Sequence, residues 1–261
     1  MSIKCNDIVN LMEKYAPAYL AESWDNVGLM VGRAEKEVKC VLVALDVNDE
    51  VIAEAEDKGA DLIVTHHPFI FRSIKNVNDK SPLGRRIIRL IQKDIAVFSA
   101  HTNLDCAEGG TNDTLARLLC LSDVKPLCEE EGGAPIGRVG ELESVMTFGE
   151  LITTVKKVLG ADKLSVCGSL DKTVHRVGIC TGKGSSLMAA AKAAGADVFI
   201  TGDFGYHEGQ SACDMGLCVI DGTHYLTEVP VVPVLCSYIK DNFKDVNVIE
   251  AETNGQTINI V

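Results

Sequence analysis

The chain has 261 residues, 46% of them hydrophobic and 24% charged, which is an ordinary composition for one large or two smaller globular domains. Its net charge is −12, from 37 acidic against 25 basic residues. That balance argues against nucleic acid or an anionic membrane as the main partner, because phosphate binding needs a basic footprint. No apolar run approaches the roughly 18–20 residues of a membrane-spanning helix.

The N-terminal MSIKCNDIVNLMEKYAP scatters Lys4, Asp7, Glu13 and Lys14 among apolar residues. It reads as an amphipathic helix and not as a signal peptide. KCVLVAL (39–45) reads as a strand, and NDEVIAEAEDKGA (48–60) as a helix closed by Gly59. DLIVTHH (61–67) is a second strand, a helix follows around 82–93, and DIAVFSAH (94–101) is a third strand. Consecutive βα units of this kind predict a mostly parallel sheet covered by helices.

The order then recurs. HRVGIC (175–180) reads as a strand, SSLMAAAKAAGA (185–196) as a helix, and DVFITGD (197–203) and LCVIDGTH (217–224) as strands. An apolar helical pattern runs from Pro230 to Phe243. Gly59-Ala-Asp-Leu-Ile-Val-Thr-His-His67 and Gly195-Ala-Asp-Val-Phe-Ile-Thr-Gly-Asp203 share Gly, Ala, Asp and Thr at identical offsets. The sequence therefore predicts two related α/β halves with mostly parallel sheets, and a duplication as their origin. The first half is assigned residues 1–126, completed by 241–261, and the second residues 127–240. The stretch 121–174 contains CEEEGGAPIGRVGELES, a helix at 148–159 and KLSVCGSL, and it opens the second half without acting as a linker. Asn254-Gly255, between two strand-like runs in the tail, is a hairpin signal.

The ten cysteines include no C-x-x-C pair, and several sit inside apolar runs such as VGIC and GLCVI. They read as small buried hydrophobes in a reducing, cytoplasmic setting and not as a disulfide framework.

Ligands of α/β sheets bind beyond the carboxyl ends of the strands. Four of the six histidines, His66, His67, His101 and His224, lie just after predicted strands. Asp46 ends the first strand, and Asp105 follows His101 at the same four-residue spacing that separates His224 from Glu228. On a helix that spacing puts both side chains on one face. Taken singly, these motifs also read as solvated loop histidines and a surface His–Glu pair. Taken together, the imidazoles and carboxylates predict a divalent-metal site with more ligands than one tetrahedral ion needs, hence two ions. The absence of thiolates from the set points to Fe, Mn, Zn or Co rather than a structural zinc. TGDFGYHE adds Asp203, His207 and Glu208. Gly182, Gly184, Ser185 and Ser186 form a turn that could hold a phosphate or carboxylate, although the sequence is not a Walker A motif and a serine-capped tight turn is the better reading. Trp24 reads as core or interface packing, with Asp25 and Asn26 capping or lining the site.

The blocks SWDNVGLMVG (23–32), VTHHPFIF (64–71), AHTNLD (100–105), GGTND (109–113), TGKGSS (181–186), GADVFITGDFGYHE (195–208) and DGTHYLTE (221–228) together resemble the Nif-three-like family, also called the GTP cyclohydrolase 1 type 2 family. The resemblance spans nearly the whole chain. It implies two interlocked α/β domains, a dinuclear metal centre in the cleft between them, and often a ring-shaped homohexamer; a dimer is the smaller alternative. Block matching puts the metal ligands on His66, His67, Asp105, His224 and Glu228, with His101 a neighbour. Asp203 and Tyr206 depart from the family pattern, which often has Glu and His there, and the insertion domain of some members is absent. The implied activity is that of a metal-dependent hydrolase acting on a nucleotide or related small molecule, with His101 or His207 moving protons. The alternative is a non-enzymatic metal- or cofactor-binding or metal-delivery protein.

Overall fold

The computed structural model describes residues 2–127, 135–253 and 255–258. Cys128, most of the CEEEGGAP segment and Asn254 of the expected hairpin lie outside the described residues. The chain forms two compact units, one from Met1–Ala107 with Val231–Thr257, the other built on Glu108–Pro230.

The first unit opens with α1 (Cys5–Tyr15), β1 (Gly28–Val31), β2 (Cys40–Ala44), α2 (Asp49–Asp57), β3 (Leu62–Thr65), α3 (Pro82–Gln92), β4 (Ala96–Ser99) and α4 (Thr102–Cys106). The second unit follows with α5 (Thr111–Leu118), β5 (Ser122–Pro126), β6 (Arg138–Thr147), α6 (Phe148–Leu159), β7 (Ser165–Cys167), β8 (Thr173–Lys183), α7 (Met188–Ala193), β9 (Val198–Gly202), α8 (Tyr206–Asp214), β10 (Cys218–Asp221) and α9 (His224–Glu228). The chain then returns to the first unit as α10 (Val231–Asn242) and β11 (Asn247–Glu250). None of these helices is long and apolar enough to cross a membrane.

Local chemistry sets the helix ends. Asn48 accepts from the N–H groups of Glu50 and Val51 to start α2, and Ser81 accepts from Gly84, with Pro82 opening α3. Thr147 and Glu150 form a reciprocal capping box on α6, which Gly160 closes in the left-handed conformation at φ +64°.

In the first sheet the order is β1-β4-β3-β2-β11. β1 is antiparallel to β4 and every other pair is parallel. Leu42, Ala44, Ile63 and Val97 pack on Val51, Ile52 and Ala55 of α2 and Ile87 and Leu90 of α3, while α10 packs on β2 and β11. β11 lies parallel to β2 at the edge of the sheet; the turn and most of the second run of the expected tail hairpin lie outside the described residues.

The second sheet runs β5-β6-β8-β9-β10-β7, with β8, β9 and β10 parallel and antiparallel strands outside them. Its centre is apolar on both faces, as buried parallel strands are. Val198, Ile200, Cys218 and Ile220 face Leu151, Val155 and Leu159 of α6. Phe199 and Val219 face Met188 and Ala191 of α7 and Ala212 of α8. The expected helix 185–196 is shorter than its pattern: Ser185–Leu187 is a 3-10 turn and α7 ends at Ala193, ahead of Gly195 at φ +81°.

The two matching segments do the same physical work in each unit. The Asp61 carboxylate accepts from the N–H groups of Lys39 and Cys40 at 2.8 and 3.1 Å, where β2 begins. The Asp197 carboxylate accepts from His175 and Arg176, both at 3.0 Å, near the start of β8. Ala60 N–H closes on Ala55 O and Ala196 N–H on Ala191 O, at the C-terminal ends of α2 and α7. The shared Gly-Ala-Asp is thus a helix stop followed by a clamp on the neighbouring strand.

Candidate metal-ligand clusters

In the first unit β3 stops at Thr65, whose hydroxyl donates to His67 O at 3.0 Å. His67 N–H donates to Leu45 O at 2.9 Å, and Pro68 follows. At this strand end the His66 and His67 ring centroids are 5.1 Å apart, against the strict alternation of a continuing strand. The His101 ring stands 5.3 Å from that of His66 and 5.9 Å from that of His67.

Every one of these rings is held through Nδ1. Buried His66 donates from Nδ1 to Ala100 O at 2.9 Å. His67 donates to Asp46 Oδ1 at 2.8 Å and His101 to Asp25 Oδ1 at 2.9 Å. A carbonyl or carboxylate on Nδ1 fixes the proton there and leaves Nε2 with the lone pair, the arrangement that second-sphere groups impose on metal-binding histidines. His66 Nε2 faces Asp105 Oδ1 at 3.6 Å. Two ligands about 2.1 Å from a tetrahedral ion stand ~3.4 Å apart, so this pair has the spacing of a shared ion.

Asp105 sits in α4, whose start is fixed by neighbouring contacts. Asn103 accepts from His101 N–H at 2.8 Å and donates to Ala16 O at 2.7 Å. The second oxygen of Asp25 accepts from the N–H and hydroxyl of Thr102 at 3.0 and 2.5 Å. Burial opposes ionisation of Asp25, but the hydrogen bonds from His101 and Thr102 outweigh it and hold the carboxyl at about 2. His101 precedes α4, and its Nδ1 turns to Asp25. Trp24 is 59% exposed and Phe71 46%, so Trp24 is not core packing. Both stand edge-on to the His101 ring, with centroids 6.3 and 6.2 Å away.

In the second unit His224 opens α9, and its Nε2 lies 3.1 Å from Glu228 Oε2. His224 Nδ1 donates to Asp203 Oδ2 at 2.9 Å, again leaving Nε2 as the lone-pair nitrogen. Thr223 adopts φ +62°, a strained conformation for a β-branched residue. Asp221 Oδ1 holds it by accepting from its N–H at 2.9 Å, and the Thr223 hydroxyl caps Leu226 at 3.2 Å. Burial and the nearby Asp203 charge raise the Asp221 carboxyl above its ordinary range.

The Gly-rich turn serves this pair. Gly182 has φ +64°, and a β-carbon there would collide with Glu228 Oε1. Gly182 N–H donates to Thr227 Oγ1 at 3.0 Å and Gly184 N–H to Thr201 Oγ1 at 2.9 Å. Ser185 and Ser186 form the following 3-10 turn, where no side chain caps the N-terminus. His207 lies on exposed α8 and its Nδ1 faces Gln210 Oε1 at 3.1 Å, one turn along the same helix. Sequence reasoning marked the imidazoles; it did not assign Asp25, Asp46 and Asp203 as the groups that orient them. Asp46 and Asp203 do stand at predicted strand ends, which is the available signal.

Fold and clusters define a two-unit α/β protein carrying histidine–carboxylate pairs whose ligand atoms could hold a metal ion. Comparison with known proteins gives the family. The model of Duf34/NIF3 (NGG1p interacting factor 3) matches residues 3–256. A Clostridium perfringens protein named GTP cyclohydrolase 1 type 2 homolog is 43% identical over 244 residues, 92% of each chain. The crystal structure of a Bacillus cereus protein related to NIF3 superposes with a TM-score of 0.91 at 26% identity, covering 100% of both chains. Reduced HcgD from Methanocaldococcus jannaschii gives a TM-score of 0.84 at 33% identity, covering 97% of this chain and 99% of its own. The chain belongs to the Duf34/NIF3 family.

Proposed function

We propose that this protein binds two divalent metal ions per chain through His66, His67, Asp105, His224 and Glu228 and hydrolyses a nucleotide or related small molecule. The observation that carries the reading is the Nδ1 anchoring of His66, His67 and His224 by Ala100 O, Asp46 and Asp203, the orientation that second-sphere groups give to metal-binding histidines. The spacings of 3.6 Å (His66–Asp105) and 3.1 Å (His224–Glu228) support it. Fe, Mn, Zn and Co suit this imidazole and carboxylate set.

When bound, such ions supply Lewis-acid activation of water and of the substrate's electrophilic atom. His101, held by Asp25, is positioned to accept or return a proton at Nε2. Exposed Trp24 and Phe71 beside it offer apolar ring surface on which a planar heterocycle can rest. The relatives' name, GTP cyclohydrolase 1 type 2 homolog, supports a purine nucleotide as the substrate to test first. A homohexamer or dimer is part of the proposal, as is a cytoplasmic setting, which the buried thiols of Cys5, Cys40, Cys218 and Cys236 support.

One observation favours the second reading, a metal- or cofactor-binding protein without turnover. His207, the other candidate proton carrier, is exposed and faces Gln210 of its own helix. The experiment that separates the readings is metal analysis of natively purified protein combined with turnover assays on GTP and other nucleotides. Metal near two per chain with turnover supports the hydrolase, and metal without turnover supports the binding role. Metal content unchanged in both His66→Ala and His224→Ala overturns the ligand assignment.

A further inference from the structure

Cys167 ends edge strand β7, and Cys213 lies near the C-terminal end of α8, 46 residues on. Their Sγ atoms are 2.9 Å apart. Cys167 Sγ also lies 3.1 Å from Gly209 O, its carbonyl acceptor. The two sulfurs are only about 1 Å beyond the ~2.05 Å of a disulfide bond. Both line one surface cavity, together with Phe204, Tyr206 and His207, so a small solute can reach them. We infer that Cys167 and Cys213 form a reversible thiol–disulfide site whose oxidant is a low-molecular-weight disulfide.

The two thiols are not equivalent. Cys213 is exposed, whereas burial and the adjoining Cys213 thiol push Cys167 up to about 11. Cys213 is therefore the attacking group and Cys167 the resolving one. The Cys213 thiolate attacks one sulfur of the oxidant; the oxidant's S–S bond breaks, and its other half leaves as a thiolate that takes up a proton. Cys167 then loses its proton to water and attacks Cys213 Sγ. The mixed disulfide breaks and the second small thiol departs. Two protein thiols are oxidised, and one small disulfide is reduced to two thiols.

The bond ties α8 to the sheet edge and closes the chain between β7 and α8 into a loop. The oxidised protein should therefore unfold at a temperature at least a few degrees higher. Exposed Cys120, which has no such neighbour in the described structure, is an internal control.

The test uses the full chain in oxidised and reduced glutathione, followed by peptide mapping under non-reducing conditions. The expected product is a Cys167–Cys213 cross-link, lighter by two hydrogen atoms and reversed by dithiothreitol, while Cys120 carries only a glutathione adduct. In Cys167→Ser the adduct should persist on Cys213. In Cys213→Ser, position 167 should stay unmodified. A stable glutathione adduct on Cys213 of the native chain overturns the inference. So does pairing of Cys213 with any other cysteine, or an unreacted Cys213 beside a modified Cys120.

Discussion

Gly182 leaves the space that the Glu228 carboxylate occupies: any β-carbon at 182 would overlap Glu228 Oε1. The backbone there is also left-handed, at φ +64°. Gly182→Ala thus meets strain and a steric conflict together. It should cost about 1–3 kcal/mol of stability and displace Glu228. Metal content of the purified variant should fall with it. Full metal content and an unchanged melting temperature would contradict the packing described.

Asp203→Asn tests the anchoring of His224. The amide keeps the shape of the carboxylate but removes its charge and can present NH2 to Nδ1, favouring the wrong tautomer. Metal affinity should drop by roughly 10–100-fold, as for other second-sphere ligand partners, with little change in folding because Asp203 is exposed. Isothermal titration with Mn or Zn reads this directly, and equal affinity in both proteins refutes it.

Asp25 makes stability depend on acid. Its carboxyl sits at about 2 in the folded chain against an ordinary 3.8. The folded value is the lower one, so the ionised form favours folding. The contribution is complete above the unfolded pKa and is lost as pH falls through 3.8 towards about 2. Its size at neutral pH is about 2 kcal/mol. Urea unfolding should show a stability loss over that window which Asp25→Asn abolishes. An identical acid slope in the variant would sink the assignment.

Asp61 and Asp197 each accept from two backbone N–H groups. Removing either carboxylate strands both donors at the start of a strand. Asp61→Ala and Asp197→Ala should each destabilise by about 2–3 kcal/mol, measured by denaturant midpoint. A change below about 0.5 kcal/mol, the usual range of surface substitutions, would show that the clamp is idle.

Trp24→Ala separates substrate contact from folding. The ring is 59% exposed, so its loss should change stability by less than about 0.5 kcal/mol. If it supports a heterocycle, KM for the substrate should rise about 10-fold, the worth of one aromatic stacking contact. An unchanged KM places the substrate elsewhere.

The sequence by itself determined the repeating βα order, the apolar parallel strands and the strand-end placement of His66, His67, His101 and His224. These are local signals, carried by periodicity and by the polar residue at which a hydrophobic run stops. The helix stop was likewise legible at Gly59, whereas the one at Gly195 was read through as helix although α7 ends at Ala193. Pairing was not legible. β1 pairs with β4 across some seventy residues, and β11 returns from the far end of the chain to lie beside β2. No short window encodes such partners, because each edge strand finds its place by satisfying backbone groups that another segment exposes. The same holds for the chemistry. That Asp25, Asp46 and Asp203 orient imidazoles, that Gly182 makes room for Glu228, and that Cys167 meets Cys213 follow from side chains brought together by folding. Only the tertiary structure decided them, since residue type gives a side chain its chemistry and distance gives it a partner.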